Sequence, residues 1–275
     1  MSLKDARIGF VGGGAMAEAL LAGLLAAGVA PKRLRAADPE ATRREHLATR
    51  LGIETTGSNS EAVADADAVV LAVKPDVVQA VLDALRASGA DIDRPVWISI
   101  AAGVTLTTLE RGLGEAARVV RAMPNTPALV GEGATGLCSN AGAAVRDVAL
   151  AVALFESVGS VWQAPNEALL DAVTGLSGSG PAYVFAFLEA LIAAGEAQGL
   201  PREACEVLAF QTVYGAAKLA RESEHNPAEL RRQVSSPGGT TLAGLRALED
   251  RGFAEAIAEA VGAATRRASE LGQRN

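Results

Sequence analysis

Residues Arg7 to Ala17 read RIGFVGGGAMA, an apolar run that ends on three glycines and continues into an alanine-rich stretch. The pattern fits G-x-G-x-x-A at the join of a strand and a helix. Gly12 permits the tight turn, Gly14 lets a pyrophosphate approach the backbone, and Ala17 lets the helix sit close on the sheet. The first helical residues, Ala15, Met16 and Ala17, then offer free N–H groups to phosphate charge. A plain tight turn is the competing reading of a glycine triplet, and its place directly after the first strand favours dinucleotide binding.

Outward from this stretch, as far as about Gln163, short apolar runs alternate with helical spacing. Strands are predicted over Arg7–Val11, Leu34–Ala37, Ala68–Val73, Val96–Ile100 and Arg118–Ala122, with Ala134–Cys138 and Ser160–Trp162 as further candidates. Such near-continuous apolar runs suit a parallel sheet covered on both faces. Helices are predicted over Ala15–Ala27, Pro39–Leu51, Pro75–Ala87, Thr105–Leu113 and Val145–Ser157. After Pro165 the strand signal stops. Helices are then predicted over Glu167–Leu176, Pro181–Gln198, Pro201–Arg221, Pro227–Val234, Thr240–Asp250 and Phe253–Glu270, separated by Ser/Gly beads at Ser177–Gly180 and Ser235–Gly239. The expected fold class is α/β, a Rossmann-type doubly wound parallel sheet (residues 1–165) followed by an all-α domain (166–275). Around Tyr183 to Ile192, Val184, Phe185, Phe187, Leu188, Leu191 and Ile192 put apolar groups on more than one helix face, a surface that an interlocked dimer would bury.

Composition narrows the function classes. A net charge of −7 and a pI of about 5.1 count against nucleic acid or an anionic membrane as partner. The two cysteines, Cys138 and Cys205, make no disulfide framework, and with His46 and His225 as the only histidines no metal centre is expected. The polar start, Met1 to Arg7, has no signal-peptide architecture, and the apolar stretch Ala182–Ala194 contains Glu189 and reads as too short to span a bilayer. A cytoplasmic protein is expected.

Several residues belong at the carboxyl edge of the sheet, where ligands bind in open α/β folds. Asp38 closes the second strand, in the place of an acid that grips ribose hydroxyls, while Arg43 and Arg44 could neutralise a 2′-phosphate. A helix N-cap at Asp38 and a solvated arginine pair compete with that reading, so NADPH and NADH both stay open. Asn59 in the polar loop Thr56–Ser60, the segment Ala72, Val73, Lys74 and Pro75, the small residues Ala101 and Ala102, and Asn125 complete the expected cofactor set. In the helical half, Leu176–Tyr183 and Val234–Thr241 each read as a Ser/Gly loop opening a helix, suited to holding a small carboxylate. Neither histidine lies where a proton donor for ketone reduction would be needed. An imine can arrive already protonated, so a hydroxyl such as that of Thr241 would suffice.

These segments resemble the pyrroline-5-carboxylate reductase family along essentially the whole chain. The resemblance is carried by Ile8–Gly12, Ala72–Pro75 (AVKP), Ala101–Val104, Met123–Pro127 (MPNTP), Asp171–Tyr183 (DAVTGLSGSGPAY) and Val234–Thr241 (VSSPGGTT). It implies an NADPH- or NADH-dependent reduction of Δ1-pyrroline-5-carboxylate to proline, and a helical domain that interlocks at least two copies of the chain. It further implies that Thr241 hydrogen-bonds the imine nitrogen, that Ser236, Gly239 and Thr240 hold the substrate carboxylate, and that Glu167 lines the substrate end. For Glu167, a first-turn helix acid stabilised by the dipole is the competing reading. Some members carry Ser before the proline of the second-strand loop, where this chain has Asp38.

Overall fold

The computed structural model describes residues 2–274. Its sheet has eight strands: β1 (Ile8–Val11), β2 (Leu34–Ala37), β3 (Glu54–Thr56), β4 (Ala68–Leu71), β5 (Val96–Ser99), β6 (Arg118–Met123), β7 (Gly133–Ser139) and β8 (Gly159–Gln163). They lie in the order β3-β2-β1-β4-β5-β6-β7-β8, so the direction of winding reverses between β1 and β4. That is the switch point where an open α/β sheet forms its ligand crevice. Register is simple there: Ile8 to Val11 pair with Leu34 to Ala37 on one side and Ala68 to Leu71 on the other.

Every neighbouring pair is parallel except β6 and β7. The doubly wound parallel sheet expected from the sequence is present, with this one reversal among its strands. Parallel strands require a crossover of about a dozen residues or more. Between β6 and β7 the chain has room only for a 3-10 turn, Thr126–Val130, so β7 folds straight back.

Six helices, α1 (Ala15–Ala26), α2 (Ala41–Leu51), α3 (Asn59–Val63), α4 (Val78–Ala87), α5 (Leu106–Leu113) and α6 (Val145–Glu156), accompany the strands. The pleat sends alternate residues to opposite faces. Phe10, Val70, Ile98 and Val120 therefore join Leu20, Leu24, Leu154 and Phe155 of α1 and α6 in one core. Val11, Val69, Trp97 and Val119 join Leu82, Leu85 and Leu109 of α4 and α5 in the other. Trp97 is fully buried and satisfies its indole N–H on the Ile92 carbonyl at 2.9 Å.

After β8 the chain is helical: α7 (Leu169–Val173), α8 (Gly180–Ala197), α9 (Arg202–Glu222), α10 (Pro227–Gln233), α11 (Thr240–Asp250) and α12 (Phe253–Arg274). Thr174–Gly178 is a π turn joining α7 to α8, and the Ser179 N–H donates to the Thr174 carbonyl at 2.8 Å. Leu169–Ala197 is thus one uninterrupted helical stretch, long and apolar enough by length and composition to cross a membrane. The sequence reading of Ala182–Ala194 as too short took Ser177–Gly180 for a break; a wide turn accommodates those small residues without one.

Packing draws its division later than the end of the strands. One compact unit runs to Ser179 and takes back the chain from Gly262 onward; the other is Gly180–Val261. The return has a local cause, because the Gly103 turn lies against Leu271 and Gly272 near the end of α12. In the second unit the buried apolar cluster is only Ile192, Cys205 and Ala209, with Leu188 and Leu191 partly buried. Phe185, Val207, Leu208, Phe210 and Tyr214 are more than half exposed.

Candidate functional site

At the end of β1 the backbone of Gly12 turns with φ +99°, and a Cβ there would stand 2.5 Å from the Ala72 carbonyl oxygen. Only glycine fits both demands. Gly13 is buried, and its N–H donates to Asp38 Oδ2 at 2.9 Å. Gly14 is the N-cap of α1, makes no side-chain cap, and would carry a Cβ into open space. Gly14 and Ala15 are exposed while Ala17 is buried against the sheet, so the helix presents its first N–H groups outward. An anion with several oxygens fits this cradle.

Asp38 acts as a clasp. Its Oδ2 accepts from Gly13 N–H and its Oδ1 from Glu40 N–H at 2.9 Å, tying the β2 loop to the glycine turn. The N-cap of α2 is Glu40, which corrects the alternative that Asp38 caps that helix. Nor are the arginines a solvated pair. Arg44 Nη1 donates to the carbonyls of Asp38 (2.8 Å) and Pro39 (2.9 Å). Arg43 Nε donates to the Gly13 carbonyl, and its Nη2 to Glu18 Oε2 at 2.5 Å. Glu18 Oε1 also meets His46 Nε2 at 2.9 Å and Arg50 Nη1 at 2.8 Å. Burial pushes the Glu18 carboxyl upward, but the bonds from His46 and Arg43 outweigh it and hold the group below its ordinary value.

Along the same edge, Asn59 opens α3 instead of lying in a loop, and its side chain has no partner among the described residues. Ala72 N–H donates to the Val11 carbonyl at 2.8 Å, Lys74 is exposed, and Pro75 starts a 3-10 turn rather than the first turn of α4. Ala101 is buried and Ala102 half-buried beside the turn that Leu271 covers.

Asn125 is buried, with Nδ2 on the Ser177 carbonyl at 2.9 Å and Oδ1 accepting from Ala134 N–H at 2.8 Å. It pins the π turn to the end of β6. One N–H and one lone pair of the amide stay free for another partner. Glu167 precedes α7 rather than lying in its first turn. Its Oε1 accepts from Leu106 N–H, the first residue of α5, at 2.8 Å and from Arg121 Nη1 at 2.6 Å. Arg121 is buried in the middle of β6, and its Nη2 also lies 3.9 Å from Asp171. Beside this group, burial and the Glu167 charge push the Cys138 thiol up to about 11, so it stays protonated at neutral pH.

The two Ser/Gly segments differ. Leu176–Tyr183 was expected to open a helix with outward N–H groups; the π turn runs into α8 at Gly180, so α8 continues the helix from α7 instead of opening on free N–H groups. The second does open a helix. Gly238 turns with φ +72°, Gly239 is the N-cap of α11 without a side-chain cap, and its N–H donates to the Ser236 carbonyl at 3.0 Å. A Cβ on Gly239 would come within 2.5 Å of Ser236 Oγ, so glycine makes room for that hydroxyl. Ser236, Thr240 and Thr241 are exposed.

Residues 7–103 match a family model described as NADP oxidoreductase coenzyme F420-dependent, and residues 167–271 match one described as pyrroline-5-carboxylate reductase dimerisation. A pyrroline-5-carboxylate reductase from Synechocystis is 46% identical over 269 residues, covering 98% of this chain and 99% of that protein. The chain belongs to the pyrroline-5-carboxylate reductase family. Solved members of the family are similar throughout. The one from Coxiella burnetii has a TM-score of 0.92 at 40% identity, covering 97% of this chain and 98% of its own. The one from Plasmodium falciparum, solved with NADP bound, has a TM-score of 0.87 at 33% identity, covering 98% and 100%.

In this family member, reasoning from sequence overlooked Glu18 and Arg121. Both left a signal. Arg43, His46 and Arg50 are spaced to share one face of α2, which asks for an acid opposite. Arg121 is a charge inside the apolar run RVVRAM, and a buried guanidinium needs carboxylate partners.

Proposed function

We propose that this chain reduces Δ1-pyrroline-5-carboxylate to L-proline with a hydride from NADPH or NADH, as a step of proline biosynthesis. One observation carries the reading beyond family membership: α1 and α11 both start behind glycines with no side-chain cap, leaving backbone N–H groups for two separate anions. The dinucleotide diphosphate takes the first, and the substrate carboxylate the second. Residues 1–165 serve the dinucleotide through Gly12, Gly14 to Ala17, Asp38, Asn59, Ala72 to Pro75, Ala101, Ala102 and Asn125. Residues 166–275 serve substrate and dimerisation.

The reduced nicotinamide, when bound, would supply the hydride that the C=N carbon of the imine accepts. Ser236, Gly239 and Thr240 fix the carboxylate, and the Thr241 hydroxyl holds the ring nitrogen. That nitrogen arrives protonated, so addition of hydride to the C=N carbon completes the amine without a strong protein acid. Orientation then supplies most of the rate. Glu167 lines the substrate end while its Oε1 braces α5 and Arg121.

A second copy of the chain is the natural cover for the apolar side chains of α8 and α9, because so small a core cannot stabilise these helices alone. The acidic pI of about 5.1 and Glu189 within α8 favour that cover over lipid, and a cytoplasmic setting. A hydroxyacid dehydrogenase would want a lysine in the helical part. Lys218 is exposed and held charged by Glu222, 3.0 Å away, which suits a surface ion pair.

Oxidation of NADH and NADPH with pyrroline-5-carboxylate and piperideine carboxylate, alongside reduction of NAD+ and NADP+ with hydroxyacids, tests the assignment. Fastest turnover on the pyrroline is expected. Turnover only on a hydroxyacid refutes it, and cofactor binding with no turnover on any imine would indicate a silent nucleotide sensor.

A further inference from the structure

Resting on the dinucleotide reading above, we infer that this chain selects NADH over NADPH, and that Glu18 enforces the choice by withholding Arg43 from a 2′-phosphate. At the end of β2, where adenosine ribose lies in dinucleotide folds, the Asp38 carboxylate is bonded only to the N–H groups of Gly13 and Glu40. Among the described residues it has no cationic partner within salt-bridge distance. A ribose 2′-hydroxyl can donate to its remaining lone pairs. A 2′-phosphate would bring roughly two further negative charges beside it and needs an arginine to offset them.

The nearby cations are engaged elsewhere. Arg44 Nη1 is shared between the carbonyls of Asp38 and Pro39. Arg43 is divided between the Gly13 carbonyl and Glu18. Glu18 also gathers His46 and Arg50, and its side chain is only 12% exposed, so its carboxylate has little water to replace a lost guanidinium. Moving Arg43 to a phosphate would strip this acid of its closest partner. Glu18 is therefore a specificity-determining residue that acts through Arg43, in a chain whose Plasmodium relative was solved with NADP.

The test is calorimetric titration of the full-length protein with NAD+ and with NADP+ at one fixed ionic strength. Wild type is expected to bind NAD+ about 10-fold more tightly or better, a difference of about 1.4 kcal/mol. Glu18→Gln should tighten NADP+ several-fold and leave NAD+ within about twofold, and adding Arg43→Ala should erase that gain. Arg43→Ala alone should leave the ratio unchanged, which keeps the idea testable if Glu18→Gln folds poorly. Wild type binding NADP+ at least as tightly as NAD+ overturns the preference. An unchanged ratio in Glu18→Gln, or weaker NADP+ binding in Arg43→Ala, overturns the role of Glu18. Binding of neither dinucleotide overturns the dinucleotide reading itself, and this inference with it.

Discussion

Ser177–Gly180 and Ser235–Gly239 are nearly the same in composition and opposite in structure. The first is threaded through a continuous helix by a π turn, its Ser177 carbonyl held by Asn125. The second ends one helix and starts another, leaving α11 uncapped. What separates them is the surroundings. Around the first, Asn125 grips the turn itself, and Arg121 secures Glu167 and Asp171 at the start of the helix that leads into it. In the second, Ser236, Pro237 and Gly238 are exposed, with Gly238 in the left-handed region. Small polar residues permit a break, and tertiary partners decide whether one occurs.

The sharpest attack on this contrast removes the anchor of the first segment. Arg121→Ala leaves two carboxylates without their buried cation and is expected to cost about 3–5 kcal/mol in denaturant unfolding. A loss below 1 kcal/mol would mean that Arg121 does not hold this helix. Ser179→Pro deletes the N–H bonded to Thr174 and should cost about 3 kcal/mol by the same measurement, as proline does inside a helix. If the variant melts like wild type, the π turn is not a continuous element.

Smaller effects belong to the second segment. Thr241→Ala should lower kcat by about 100-fold, as loss of a group that orients the reacting atoms does, with dinucleotide affinity nearly unchanged. Unaltered turnover removes Thr241 from the mechanism. Thr240→Pro places proline at the first position of α11, after a residue already extended at ψ 166°, so stability should change by no more than about 1 kcal/mol. The lost N–H should instead raise KM for the imino acid. A large stability loss there would make the two segments alike after all.

Most of the sheet was legible because a buried parallel strand is apolar on both faces and ends at a glycine or a proline. Leu34–Ala37 and Thr240–Asp250 were read to the residue. The strand β3, with sequence ETT, escaped because an edge strand of three polar residues carries no hydrophobic signal. The reversal at β7 was a matter of connection length, and the π turn a matter of partners distant in sequence. In the candidate site the glycine cradle and the α11 loop could be read from local chemistry. The commitments of Asn125, Glu167 and Arg43 could not, since each is settled by a group elsewhere in the chain: Ser177, Arg121 and Glu18.

The buried cluster of Ile192, Cys205 and Ala209 is too small to keep four helices and part of a fifth folded by itself. Folding of that region is then tied by mass action to self-association, so the melting temperature should climb as the protein is concentrated and fall as it is diluted. A quoted thermal midpoint would have little meaning without the molarity at which it was recorded.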